Sequence, residues 1–200
     1  MCKLIFFEAV IAASGLVVLA ANAQAFDLTP PNPFGAPPTQ VTYPTDPGRE
    51  VASTRVIVDD PTGEREGTIT IDTANRYLYL SLPGGKAMRY TVGVGREGFG
   101  WQGRAYIGRR AEWPSWTPPA DMLKRRPDLP HFMQGGIENP LGARAMYLYS
   151  GHADTLYRIH GTNEPDSIGK AVSSGCIRML NDDVTDLYER VKIGTPVIVI

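Results

Sequence analysis

The sequence predicts a mainly β fold with one clear helix near its C-terminus, and three observations carry that expectation. Apolar and polar residues alternate over short runs, 17 prolines and 21 glycines punctuate them, and an apolar period of 3.6 survives in one place. The alternating runs are Arg55–Val58, Gly67–Asp72, Tyr77–Leu82, Met88–Val94, Arg144–Tyr149, Thr155–Ile159 and Pro196–Ile200. Turn clusters such as Asp59-Asp60-Pro61-Thr62-Gly63 separate them, and Pro83-Gly84-Gly85 reads as a hairpin turn. The helix is expected over about 182–192. Asn181 is its expected N-cap, and Asp182, Asp183 and Asp186 suit its positive end. Val184, Leu187, Tyr188 and Val191 form its apolar stripe, and Gly194 is expected to stop it.

Between the strands lies a long stretch, Ala111 to Pro140, with Trp113, Trp116, several prolines and the run Lys124-Arg125-Arg126. A loop of that length inside a compact domain is usually functional or disordered, and its aromatics argue against disorder. It reads as a lid or substrate wall, with a surface-packed loop as the alternative.

The N-terminal residues form a separate object. Lys3 gives a positive n-region, Ala9–Ala21 is apolar, and Ala23-Gln24-Ala25 offers a small-x-small cleavage pattern. The apolar run after Glu8 is about 13 residues, short of the roughly 20 that span a membrane. Residues 1–25 therefore read as a Sec-type signal peptide, with an uncleaved anchor as the alternative, and the destination is the periplasm or cell envelope. Residues 26–50, rich in Pro and Thr, read as a linker, and residues 51–200 as the domain. The apolar fraction of 42% and charged fraction of 20% are those of a globular protein. A formal net charge of −1 gives no argument for nucleic acid as a partner.

Cys2 leaves with the signal, so Cys176 is the sole cysteine of the mature chain. An unpaired thiol in an oxidising compartment is buried and inert, paired between molecules, or used in chemistry. The surroundings favour chemistry. His160, at the end of a predicted strand, is a candidate base for the thiol, and Gly161 allows close approach. Gly175 permits a tight turn, after which the N–H groups of Gly175 and Cys176 could face an oxyanion. Arg178 shares a face with Cys176 if the segment is extended, and could hold a substrate carboxylate or pair with Asp182 or Asp183. Ser173 and Ser174 orient the cysteine loop or touch substrate, a turn-forming role fitting Ser174 better. His131 and His152 read as exposed loop residues. One mature cysteine and three scattered histidines give no zinc spacing, and no cofactor is expected.

The string Ile159-His160-Gly161-Thr162-Asn163, then Ser167-Ile168-Gly169, then Ser173-Ser174-Gly175-Cys176-Ile177-Arg178-Met179 resembles the signature of YkuD-type L,D-transpeptidases. Pro114-Ser115-Trp116-Thr117-Pro118-Pro119 resembles the ErfK/YbiS/YcfS/YnhG branch, and the likeness runs from about Gly67 to Ile200. It implies a β-sandwich or barrel with an active-site loop, Cys176 as nucleophile, His160 as base and the Gly161 carbonyl orienting the imidazole. Asn163 and Trp116, within the matching strings, become candidate substrate contacts with Arg178, Ser173 and Ser174. The implied reaction is acyl transfer without ATP or metal. Cys176 attacks the carbonyl of the third stem residue of peptidoglycan, D-alanine leaves, and an amine resolves the thioester. The acceptor is a second stem or the lysine end of an outer-membrane lipoprotein. Family members are often acylated by carbapenems at this cysteine. Many carry His where this chain has Ser174, so that histidine's role has no carrier here. A hydrolase on the same scaffold and a non-catalytic wall-binding module are the alternatives.

Overall fold

The computed structural model describes residues 52–200. The expected signal peptide, the linker and the domain boundary near Val51 lie outside the described residues. Among the described residues the chain runs through β1 (Val56–Asp59), β2 (Ile69–Asp72), β3 (Tyr77–Leu82), β4 (Lys86–Thr91) and β5 (Val94–Gly95). There follow β6 (Gly103–Glu112), helix α1 (Ala120–Arg125), β7 (Arg144–Ser150) and β8 (Ala153–His160). The last third holds β9 (Ala171–Ser173), β10 (Ile177–Arg178), helix α2 (Asn181–Arg190) and β11 (Pro196–Val199).

Nine strands make one sheet in the order β1-β4-β3-β2-β11-β6-β7-β8-β10, and β5 pairs with β9 in a small second sheet. Most neighbours are antiparallel, but β11 runs parallel to β2 and β10 parallel to β8. The β10 edge of the large sheet reaches back to the segment that follows β4. Gly93, just past β4, exchanges two 2.8 Å backbone hydrogen bonds with Arg178 of β10. The expected β-sandwich or barrel is thus a sheet curled on itself, with its seam beside Cys176.

The alternating runs behave as their period predicts: Ile69, Ile71, Leu78, Leu80, Met146, Leu148, Val197 and Val199 point into one core. Helix α2 lays Val184, Leu187 and Tyr188 on it, as the apolar stripe predicts, and Val191 joins the core from just past the helix end. Each such aliphatic side chain gains about 1.5–3 kcal/mol on burial. The expected hairpin turn at Pro83–Gly85 joins β3 to β4, with Gly84 and Gly85 both at positive φ.

Three readings are corrected. The helix begins at Asn181, but Leu180 occupies the cap position and makes no side-chain cap bond. Its end is set by Val191, which is already extended, and not by Gly194, which sits in the turn into β11. The stretch 111–140 is not wholly irregular: β6 reaches Glu112, α1 occupies 120–125, and Trp116 pairs by two backbone bonds with Met133. Helix α1 has Asp121 in its first turn and Lys124 and Arg125 in its last, the charge order that a helix dipole favours.

Candidate active site

The parallel register of β8 and β10 builds the site. Ile177 lies opposite Ile159 and Arg178 opposite His160. Both isoleucines enter the core. Side chains alternate along a strand, so His160, Arg178 and Cys176 share the other face. The register, carried one residue back, puts Cys176 across from Arg158.

His160 is 4% exposed, and its Nδ1 lies 2.6 Å from the Gly161 carbonyl oxygen. A carbonyl oxygen only accepts, so Nδ1 carries the proton and Nε2 keeps its lone pair. Burial pushes the imidazole pKa down to about 4; the Gly161 carbonyl opposes this, and the Arg178 and Arg158 charges add to it. At neutral pH the ring is therefore an uncharged acceptor. Any side chain on Gly161 would collide with Asn181 Oδ1. That oxygen accepts from the N–H groups of Ala143 at 3.0 Å and Thr162 at 3.2 Å. Asn181 is thus drawn from its expected capping role to two loop donors, and it fixes the turn after His160.

Cys176 is a free, part-exposed thiol on the turn between β9 and β10. Burial raises its pKa, while the Arg158 backbone N–H directed at the sulfur and the Arg158 and Arg178 charges lower it. Buried Ser173 ties the turn together. Its Oγ donates to the Cys176 carbonyl at 2.7 Å and accepts the Gly175 N–H at 3.1 Å. Two expectations shift as a result. Ser173 forms the turn while Ser174 is exposed, the reverse of the sequence reading. Gly175 N–H is engaged, so of the two expected oxyanion donors the Cys176 N–H is the one not committed to Ser173. Gly175 itself sits at φ 117, where a Cβ would lie 2.6 Å from the Tyr157 ring.

Arg178 donates to Glu164 at 2.7 Å, so its ion-pair partner is Glu164 and not Asp182 or Asp183. Asn163, exposed, donates through Nδ2 to the Glu138 carbonyl at 2.9 Å and thereby ties the His160 turn to the long segment. A cavity of about 330 Å³ has Gly175 and Ile177, the residues on either side of Cys176, in its wall, together with Val94, Leu148, Trp101 and Tyr157. Trp101 stacks on Tyr157 at 5.5 Å between ring centroids. Trp101 and Tyr157 are the aromatic residues of this cavity, and none of Cys176, His160, Trp113 and Trp116 lines it. His131 and His152 are exposed, as expected. Among the described residues no three His, Cys, Asp or Glu side chains gather as a metal site.

Sequence reasoning missed Arg158, Glu164, Asn181 and Trp101. Strand pairing gives Arg158 its neighbour Tyr147, and a loop brings Glu164 to Arg178, so no spacing along the chain could have revealed them. Trp101, set among Gly98, Gly100 and Gly103, carried the weak signal of an aromatic in a glycine-rich turn.

The YkuD description, an L,D-transpeptidase catalytic domain, matches residues 66–199. The chain belongs to the YkuD family. Probable L,D-transpeptidase ErfK/SrfK of Escherichia coli K12 is 36% identical over 149 residues, 70% of this chain and 46% of its own. Probable L,D-transpeptidase YcfS of the same strain is 36% identical over 151 residues, 70% of this chain and 45% of its own. This YkuD chain thus spans about half the length of the curated relatives it matches. A Brucella melitensis structure titled as a probable carnitine operon oxidoreductase is 46% identical, covers 73% of this chain and 92% of its own, and superposes with a TM-score of 0.50. A mutant of the Enterococcus faecium L,D-transpeptidase covers 68% of this chain and 50% of its own at 18% identity and a TM-score of 0.53, a likeness of fold alone.

Proposed function

We propose that this YkuD chain is an exported peptidoglycan L,D-transpeptidase of the cell envelope, with Cys176 as nucleophile and His160 as base. One observation carries the reading. A part-exposed free thiol and a buried imidazole with Nε2 left as acceptor share one face of neighbouring strands.

In this reading Nε2 of His160 takes the Cys176 proton as the sulfur attacks the carbonyl of the third residue of a tetrapeptide stem, the L-centre of diaminopimelate. The C–N bond to the terminal D-alanine breaks, and His160 returns the proton to the departing amine. A thioester remains on Cys176. An acceptor amine then gives its proton to His160 and attacks the thioester, and the thiol re-forms. General-base help of this kind is worth roughly 10²–10⁴ in rate. The Cys176 N–H is the donor assigned to the oxyanion. Arg178 exchanges Glu164 for a substrate carboxylate, while Ser174, Asn163 and Trp116 lie on loops that a stem could reach. The acceptor is a second stem, giving a 3→3 cross-link, or the lysine end of a lipoprotein.

Incubation with tetrapeptide muropeptides, read by mass, tests this. Cross-linked dimers lacking one D-alanine are expected. Tripeptides alone would move the reading to an L,D-carboxypeptidase, and no product at all would leave the wall-binding alternative. Cys176→Ala is expected to abolish product and carbapenem adduct while leaving thermal unfolding in place; undiminished turnover would overturn the nucleophile.

A further inference from the structure

A row of side chains crosses the sheet and ends at the cysteine. Arg109 of β6 lies opposite Tyr147 of β7, and Tyr147 opposite Arg158 of β8. Beyond Arg158 the β8–β10 pairing begins at Ile177, and the residue before it is Cys176, at whose sulfur the Arg158 backbone N–H is directed. The Arg109 guanidinium sits 3.5 Å from the Tyr147 ring centroid and that of Arg158 4.5 Å from it. Arg158 also donates to both Asp154 oxygens, at 2.7 and 2.9 Å, and to the Tyr157 carbonyl at 2.9 Å. Its side chain is 15% exposed. A free arginine keeps rotamer entropy that is lost when the side chain is held. Here a ring, a carboxylate and a carbonyl hold it in one place, although a solvent-facing ion pair needs none of that restraint.

We propose that Arg158 is a positioning residue for the Cys176 sulfur, its held guanidinium and its backbone N–H together supporting the thiolate while His160 moves the proton. The proposal rests on Cys176 being the nucleophile. The charges that act on the sulfur are those of Arg158 from β8 and Arg178 from β10, with Asp154 and the Arg109–Tyr147 pair on Arg158 and Glu164 on Arg178, while His160 shares their face by register. His160 is uncharged near neutrality, so the two arginines supply the positive potential. Arg158 alone adds a backbone donor. Hydrogen bonds and fixed cations are what lower a thiol's pKa against burial.

The test is the pH profile of Cys176 alkylation by iodoacetamide in the full chain, with adducts mapped by mass so that Cys2 is not counted. Arg158→Gln is expected to raise the midpoint by about one pH unit, a roughly tenfold slower reaction near neutrality. Arg158→Lys, which keeps the charge, should stay near the wild type. Asp154→Asn removes the opposing anion but leaves the Tyr147 and Tyr157 contacts, and its midpoint should fall. Opposite shifts in Arg158→Gln and Asp154→Asn support the proposal. An unmoved midpoint in Arg158→Gln, or equal rises in the Gln and Lys variants, overturns it. If Arg158→Gln does not fold, Asp154→Asn decides, since a rise or no shift there overturns it as well. Alkylation needs no turnover, so failure here and failure of the transpeptidase reading, which Cys176→Ala on muropeptides reports, are seen separately.

Discussion

The same three groups, arginine, tyrosine and arginine, are stacked on both faces of β6 to β8, and the two stacks serve different ends. On the outer face Tyr147 lies between Arg109 and Arg158, and the row runs on to Cys176. On the core face Tyr188 of α2 lies between Arg110, 3.7 Å from its ring, and Arg144, 5.3 Å from it. Arg110 also donates to the Tyr188 carbonyl, so this stack bolts a helix to a sheet. Consecutive residues Arg109 and Arg110 alternate faces and so feed both. What separates the stacks is the far end of each row: an apolar helix in one case, a thiol in the other. Identical pairwise chemistry therefore acquires its role from what the register puts next to it.

Removing the helix end is the strongest way to separate the faces. Leu187→Ala, fully buried under α2, is expected to cost about 2–5 kcal/mol of stability by chemical denaturation. The alkylation profile of Cys176 in the folded fraction should stay where it is; a shift would mean that the faces are coupled.

His160 lies on the outer face and gives the next largest effect. Its folded pKa of about 4 lies below the ordinary value of 6.5, so the unfolded chain takes up a proton that the native one refuses. Its contribution is fully present above about pH 6.5 and is lost as the pH falls through about 4, by about 3 kcal/mol in all. The stability curves of wild type and His160→Gln should accordingly converge or cross over that window in acid and run parallel above it. Parallel curves throughout would show that the imidazole is not held neutral.

The smallest effect sharpens the contrast most. Arg110→Gln should lower stability by about 1 kcal/mol through the lost ring and carbonyl contacts, with no change in thiol reactivity. A thiol shift equal to that of Arg158→Gln would erase the distinction between the stacks.

These stacks also explain what sequence could not disclose. The run Gly103-Arg104-Ala105-Tyr106-Ile107-Gly108-Arg109-Arg110-Ala111-Glu112 is the longest strand among the described residues, yet it carries few of the apolar residues that mark one. Arg109 and Arg110 pack on tyrosines where apolar residues would mark a strand, so a reading by hydropathy passes over it. β2, β3, β7 and β11 were legible because their alternation is apolar. Cys176 and His160 were legible as residue types, one a lone thiol and the other a histidine at a strand end. Their shared face depends on a parallel pairing that only tertiary structure sets. Asn181 was misread for a related reason: asparagine at a helix start usually caps, but two loop N–H groups lie within reach of its side chain and hold it.

The seam between Gly93 and Arg178 gives the site a place in time as well as in space. The strand β10 that follows Cys176 is held on one side by the end of β8 and on the other by Gly93 after β4, a segment more than 80 residues earlier in the chain. Contacts of such long sequence separation form late, because loop entropy must be overcome first. A chain still folding therefore carries an ordinary thiol with ordinary chemistry. The thiol takes on its folded surroundings only where these strands meet.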